Sequence, residues 1–253
     1  MRKVLGEHDL DGLAVDGGIE LLRVNPAELA LAVLHQRAPD TGPLLDEVDR
    51  LLWLANVPPA PEVIATGRSD GGDETVVLAL GRDAVSAEHG HPMGPEALAS
   101  SLATALSDLH ARPAQHCPFT ADAATLRRVV DQRIDAGAVT DVDDGPYAGR
   151  DAGSLAAIFD QLTADLGPPD DPVFIHAGLA AKRLWLDPAG GLTLLGWRWA
   201  GVGDRHLDLA AAAAMLTSLY GPALVGPFIE SYGFDRVDLR RLDAHQILAH
   251  LLA

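Results

Sequence analysis

Val173-Phe-Ile-His-Ala-Gly-Leu-Ala-Ala-Lys-Arg-Leu-Trp-Leu-Asp-Pro-Ala-Gly-Gly-Leu-Thr-Leu-Leu-Gly-Trp197 is the stretch whose reading decides the fold. Val173–Ile175 is a short apolar triplet of the kind that forms a buried strand. Arg183–Leu186 and Leu192–Trp197 read as two more strands, joined by the turn Asp187-Pro-Ala-Gly-Gly191. That turn supplies Pro and Gly where a tight reversal needs them. By strand period Trp197 and Trp199 share one face, and together with Trp185 they read as core and hinge packing rather than a base-stacking platform.

Working outward toward the C-terminus, His206–Tyr220 is an alanine-rich helix closed by Gly221-Pro222, with small side chains that permit close helix packing. An amphipathic helix over Pro222–Tyr232 and another in the tail follow. Toward the N-terminus, Pro95–His110 opens a mainly helical half, and Gly81–Pro95 reads as loop. Before it, Ile19–Val24, Leu29–Leu34 and Thr75–Leu80 read as strands. Leu44, Leu45, Val48, Leu51 and Leu52 form one stripe of a helix over Leu44–Leu54, stopped by Pro58, Pro59 and Pro61. The plan is α+β and bilobal: a β-rich small lobe over residues 1–80, then a mainly helical lobe over residues 81–253 that carries the hairpin.

Composition narrows the function. A 253-residue chain that is 48% hydrophobic and 22% charged can bury a core of its own. Its net charge of −17 disfavours nucleic acid and anionic membrane surfaces as partners. The single cysteine, Cys117, forms no intramolecular disulfide and builds no structural zinc site. The first residues lack a secretory apolar stretch, and the apolar run Leu209–Leu216 is far shorter than a membrane span. The cytoplasm is the expected location.

Several short words carry a resemblance. Leu45-Asp-Glu-Val-Asp-Arg-Leu-Leu-Trp-Leu54 with Pro61-Glu-Val63, Leu109-His110 with His116-Cys-Pro-Phe119, Phe174-Ile-His-Ala-Gly-Leu179, Gly201-Val-Gly-Asp-Arg205 with Asp208-Leu-Ala210, and Phe228-Ile-Glu-Ser-Tyr-Gly233 occur in that order. The chain resembles the aminoglycoside 3′-phosphotransferases, relatives of the protein and choline kinases. The resemblance implies a protein-kinase-like fold and an ancestry in ATP-dependent phosphoryl transfer to an alcohol.

It also implies where the chemistry should sit. Phosphoryl transfer in this fold needs an acid to orient the acceptor hydroxyl and two side chains to hold Mg²⁺ against the nucleotide phosphates. On the resemblance, the catalytic aspartate falls at Gly178, the metal-binding asparagine at Arg183 and the metal-binding aspartate at Gly196. The phosphate-gripping lysine of the small lobe falls near His35, and its helix partner is kept as Glu47. His176, Asp204, Arg205 and Asp208 fall at positions that support the catalytic loop, the last three bracing it from behind. The family's C-terminal acidic pair, which helps bind aminoglycoside amines, falls at Ala249 and His250.

Glycine has no side chain to offer a proton or a cation, and Mg²⁺ strongly prefers hard oxygen ligands. Arg183 adds positive charge instead: like unit charges at ~4 Å repel by ~4 kcal/mol at an effective dielectric of ~20, and a divalent ion roughly doubles that. Framework kept and chemistry removed is the pattern of a pseudokinase, with no metal site expected and no Mg²⁺. Such a protein acts by binding a small molecule or a protein partner.

Other readings stay open beside it. Lys182, Arg183 and Arg198 could hold an anion or ATP without metal, since guanidinium neutralises phosphate oxygens directly, or they could be solvated hairpin side chains. The enzyme could remain active with acids relocated to Asp187 or Asp204. The acidic surface could sequester cationic antibiotics. Arg205 reads as the partner of a nearby carboxylate. Gly17-Gly18 reads as a turn rather than a phosphate loop, and His89-Gly-His91 as loop rather than a metal site. Asp141, Asp143 and Asp144 suggest a calcium loop, but Ala152 stands where its distal glutamate is required.

Overall fold

The computed structural model describes residues 11–16, 19–24, 30–36, 44–55, 57–81, 83–89, 93–142 and 145–252. The Gly17-Gly18 turn, His91, Asp143 and Asp144 lie outside them. The chain forms two compact units, Met1–Pro92 with Lys182–Leu195, and Met93–Ala181 with Gly196–Ala253.

In the first unit, β1 (Asp11–Asp16), β2 (Ile19–Val24), β3 (Ala30–Gln36), β4 (Val63–Arg68) and β5 (Glu74–Leu80) form a sheet of order β1-β2-β3-β5-β4, every pair antiparallel. Strand alternation is clear in β5, where Val76, Leu78 and Leu80 are buried and the residues between them half-buried. Helix α1 (Leu45–Leu54) buries Leu51 and Leu54 and packs against β4 and β5. The buried Glu74 carboxylate accepts the Leu45 N–H at 3.0 Å, satisfying an orphan donor of the first helical turn. Arg68 pairs with the same carboxylate.

A second sheet of this unit runs β10-β9-β6, from β6 (Val85–Ser86), β9 (Leu184–Leu186) and β10 (Leu192–Leu194). Asp187 Oδ1 closes the hairpin turn by accepting the Ala189 and Gly191 N–H groups, both at 2.8 Å. A Cβ at position 191 would lie 2.3 Å from Asp187 Oδ2, so any other residue there would displace this carboxylate.

Two expectations change here. The chain divides near Pro92 rather than Leu80, and the hairpin clusters with the first unit rather than the helical one. Pairing explains both: β9 is bonded to β6, inside the segment read as loop, and the Leu194 N–H donates to the Pro59 carbonyl at 2.8 Å. The second hairpin strand also ends early. Gly196 lies in the left-handed region at φ 84°, and Trp197–Trp199 form a single 3₁₀ turn rather than a strand with paired faces.

The second unit is mainly helical: α2 (Pro95–His110), α3 (Ala123–Asp135), α4 (Ala152–Leu166), α5 (His206–Tyr220), α6 (Val225–Tyr232) and α7 (Leu239–Leu252). Asp122 and Asp151 cap α3 and α4 through the N–H groups of Thr125 and Ser154, each at 2.7 Å. Helix α5 is apolar nearly all round and correspondingly buried, packed against α6 and α7. A small sheet of order β7-β11-β8 joins β7 (Thr120–Ala121), β11 (Gly201–Gly203) and β8 (Val173–Ile175). Among the described residues no helix is long and apolar enough to cross a membrane, and no group of three or more His, Cys, Asp or Glu could hold a metal ion.

Candidate functional site

All three residues of β8 are buried, so the strand delivers His176 to the interior of the second unit. The chain then reverses. Ala177 takes φ 59°, a conformation that disfavours any residue with a Cβ. Asp208 holds this reversal from the first turn of α5, where the helix dipole also favours a carboxylate. Its Oδ2 accepts the His176 N–H at 2.7 Å and its Oδ1 the Ala177 N–H at 2.8 Å. One residue on, the Gly178 N–H donates to His176 Nδ1 at 3.2 Å, so the histidine ring pins the turn of its own loop.

Behind the loop a chain of hydrogen bonds runs to the surface. His110 Nε2 lies 3.2 Å from Asp208 Oδ2, and His110 Nδ1 lies 2.8 Å from the Tyr232 hydroxyl. Arg205 donates to that hydroxyl at 3.5 Å and pairs with Asp171. Burial alone would raise the Asp208 carboxyl, but the hydrogen bond and charge of His110, with the His176 ring and amide, hold it below the usual carboxylate range. A fully buried charge is tolerated because its lone pairs are occupied.

Of the four framework positions, His176 and Asp208 do hold the loop. Asp204 and Arg205 do not brace it directly. Among the described residues, Arg205 connects to it through Tyr232 and His110. Asp204 lies four residues before Asp208, outside the helix, and its hydrogen bonds go to the first residue of α5 and to α7. There Asp204 Oδ1 accepts the His206 N–H at 3.0 Å and meets His206 Nδ1 at 2.5 Å, while Arg241 donates to Oδ2 at 3.1 Å. The Asp238 N–H donates to His206 Nε2 at 2.9 Å, which leaves the ring proton on Nδ1 and fixes the neutral tautomer. Burial raises Asp204, yet the His206 hydrogen bonds and nearby His245 hold it well below the ordinary range. Burial pushes His245 down, and its Nδ1–H donates to the Arg241 carbonyl at 2.8 Å.

Gly178 is buried at the centre of the loop and carries no side chain. Gly196 precedes Trp197, whose ring meets His176 edge-on at 4.5 Å between centroids. Neither glycine has a side chain with which to accept a proton or ligate a cation. Arg198 sits half-buried in the same 3₁₀ turn of the second unit, whereas Lys182 and Arg183, also half-buried, belong to the first. In the first unit, His35 on β3 bonds Thr75 Oγ1 through Nδ1 at 3.1 Å, and Glu47 is buried on α1. Within the second unit, Gly178 and Gly196 offer no side-chain oxygen to Mg²⁺, and in the first unit position 183 carries a guanidinium.

The sequence profile of the phosphotransferase enzyme family, APH, matches residues 23–245. The chain belongs to that family. It is 32% identical over 238 residues to an aminoglycoside 3′-phosphotransferase of Streptomyces fradiae, covering 86% of this chain and 83% of that one. The fold matches the solved aminoglycoside phosphotransferase of Streptomyces rimosus with a TM-score of 0.83 at 19% identity, over 99% of this chain and 95% of that one. It also matches the choline kinase of Streptococcus pneumoniae with a TM-score of 0.66 at 15% identity, over 98% and 83% of the two chains. The protein-kinase-like α+β fold expected from the sequence is therefore the fold of this molecule.

Proposed function

We propose that this chain is an aminoglycoside phosphotransferase-like pseudokinase, which transfers no phosphate and acts by binding a small molecule or a protein partner. The observation that carries this reading is the contrast at one turn. Asp208 and the His176 ring accept the three backbone amides of the His176–Gly178 reversal, yet the residue presented there is glycine. A framework kept to this degree without its acid supports a role in shape rather than in chemistry.

The relocated-acid alternative is weakened by what those acids already do. Asp187 Oδ1 is committed to two amides of its own turn, and Asp204 is committed to His206 and Arg241. Those bonds tie each acid to its own local structure. Mg²⁺ has no part in the proposed function. Metal-free ATP binding is compatible with it, with Lys182 and Arg183 of the first unit, or Arg198 of the second, as candidate cations for its phosphates.

A thermal-shift series tests the reading. ATP should raise the melting temperature equally with and without Mg²⁺, or not at all. A shift that requires Mg²⁺ would contradict it.

A further inference from the structure

The second unit contains a cavity of about 600 Å³ beside the degenerate loop, a size that accommodates a drug-sized ligand. Leu179 and Ala180 form its wall on the loop side, Ala211 and Met215 that on α5, and Ala249 and His250 that on α7. The alanines of α5, which the sequence suggested were there for close packing, thus also leave room.

The lining selects against charge. Among the described residues around the cavity none carries a carboxylate, a guanidinium or an ammonium group. Ala249 and His250 are the positions where the resemblance placed an amine-binding acidic pair. An ammonium buried against methyl groups without a counter-charge is strongly disfavoured, and a bare anion equally so.

The polar groups that remain are few and partly committed. Thr217 Oγ1 already donates to the Ala213 carbonyl at 2.8 Å. His250 Nδ1 lies 2.7 Å from the Gln246 carbonyl. A carbonyl only accepts, so the neutral ring carries its proton on Nδ1 and its lone pair on Nε2. Tyr147 meets that ring edge-on at 5.3 Å and holds its orientation. His250 Nε2 and the Gln246 amide therefore offer hydrogen-bond acceptors at the edge of an apolar cavity.

We infer that this cavity binds an uncharged, largely apolar small molecule bearing one hydrogen-bond donor for His250 or Gln246, and that it does not bind a polycationic aminoglycoside. The inference deepens the binding reading above and rests on it for the ligand's role, but the cavity's chemistry is tested without nucleotide.

The experiment titrates the full chain with N-phenyl-1-naphthylamine, an uncharged aromatic with a single N–H donor, and follows its fluorescence. Saturable binding of one probe per chain is expected. Ala214→Phe, which fills the cavity, and Ser218→Trp, at its exposed rim, should each weaken binding by about tenfold or more, the equivalent of one lost good contact set. His250→Ala should weaken it by about fivefold, the worth of one hydrogen bond. If Ala214→Phe lowers the melting temperature sharply, Ser218→Trp alone decides, because that position is solvent-exposed. Absence of saturable probe binding, binding indifferent to the blocking variant, or displacement of the probe by kanamycin would each overturn the inference. Mg²⁺-dependent ADP formation would overturn the pseudokinase reading instead, so the two failures are distinguishable.

Discussion

The Asp208 carboxylate accepts the amide proton of Ala177 at 2.8 Å, and Ala177 is held at φ 59° by that bond. A left-handed conformation costs an L-residue roughly 1–2 kcal/mol, while glycine there costs about 0.5–1 kcal/mol more than alanine in lost chain entropy. Ala177→Gly should therefore leave stability unchanged or raise it by up to about 1 kcal/mol, or about 2–4 °C in melting temperature for a chain of this size. A clear loss of stability by calorimetry would mean that the Ala177 methyl packs more favourably than its backbone is strained.

Removing the other partner should have the opposite sign. Asp208→Ala leaves the His176 and Ala177 amides and the His110 ring without their acceptor inside the core, at roughly 1–3 kcal/mol for each buried group. A loss of at least about 3 kcal/mol is expected in urea unfolding, with Asp208→Asn intermediate because one amide oxygen survives to accept. Equal stability of wild type and Asp208→Ala would show that the loop is held by something else.

The two depressed carboxylates and the depressed histidine give a definite pH profile. Asp204 and Asp208 contribute stability that is fully present above their ordinary value of 3.8 and is lost as pH falls through their lowered folded values. His245, pushed down from 6.5 by burial, binds its proton more readily in the unfolded chain. Its contribution is complete above about pH 6.5 and declines as pH falls below that. Melting temperature should thus decline from about pH 6.5 downward and more steeply below about pH 4. His245→Gln should flatten the upper part of the profile and leave the lower part. A wild-type curve that is flat down to about pH 4 would contradict this.

Arg241 ties two segments at once. Its guanidinium donates to the carbonyls of Leu166, Gly167 and Pro168 at the end of α4 and to Asp204. Because the pair is largely buried, Arg241→Ala should cost about 3–5 kcal/mol. Arg241→Lys should cost less but not nothing, since an ammonium cannot reproduce the fork. Arg127→Ala, which breaks an exposed contact with Asp160, should cost about 1 kcal/mol or less and serves as the control.

What the sequence disclosed, and what it hid, follows from range. The strand before His176 and the Asp187–Gly191 turn were legible because an apolar triplet and a Pro-Gly turn declare themselves locally. The end of the second hairpin strand was misread across Gly196, although a glycine inside a strand pattern is itself the warning of a backbone turn. The division of labour between Asp204 and Asp208 was not legible, because it depends on α5 starting at His206 and turning one carboxylate toward the loop and leaving the other near α7. The Arg241 tie was missed because its carbonyl acceptors lie more than seventy residues away in the chain. The cavity was missed because Ala211, Ala213 and Ala214 signal small volume, and only the packing around them decides whether that volume is filled.

The most direct test of the account is ADP formation by this 253-residue chain with ATP, kanamycin and Mg²⁺, followed by a coupled assay and compared with a metal-free control. No turnover above the control is predicted, because positions 178 and 196 are glycine and position 183 is arginine. Mg²⁺-dependent ADP formation above the control would contradict it.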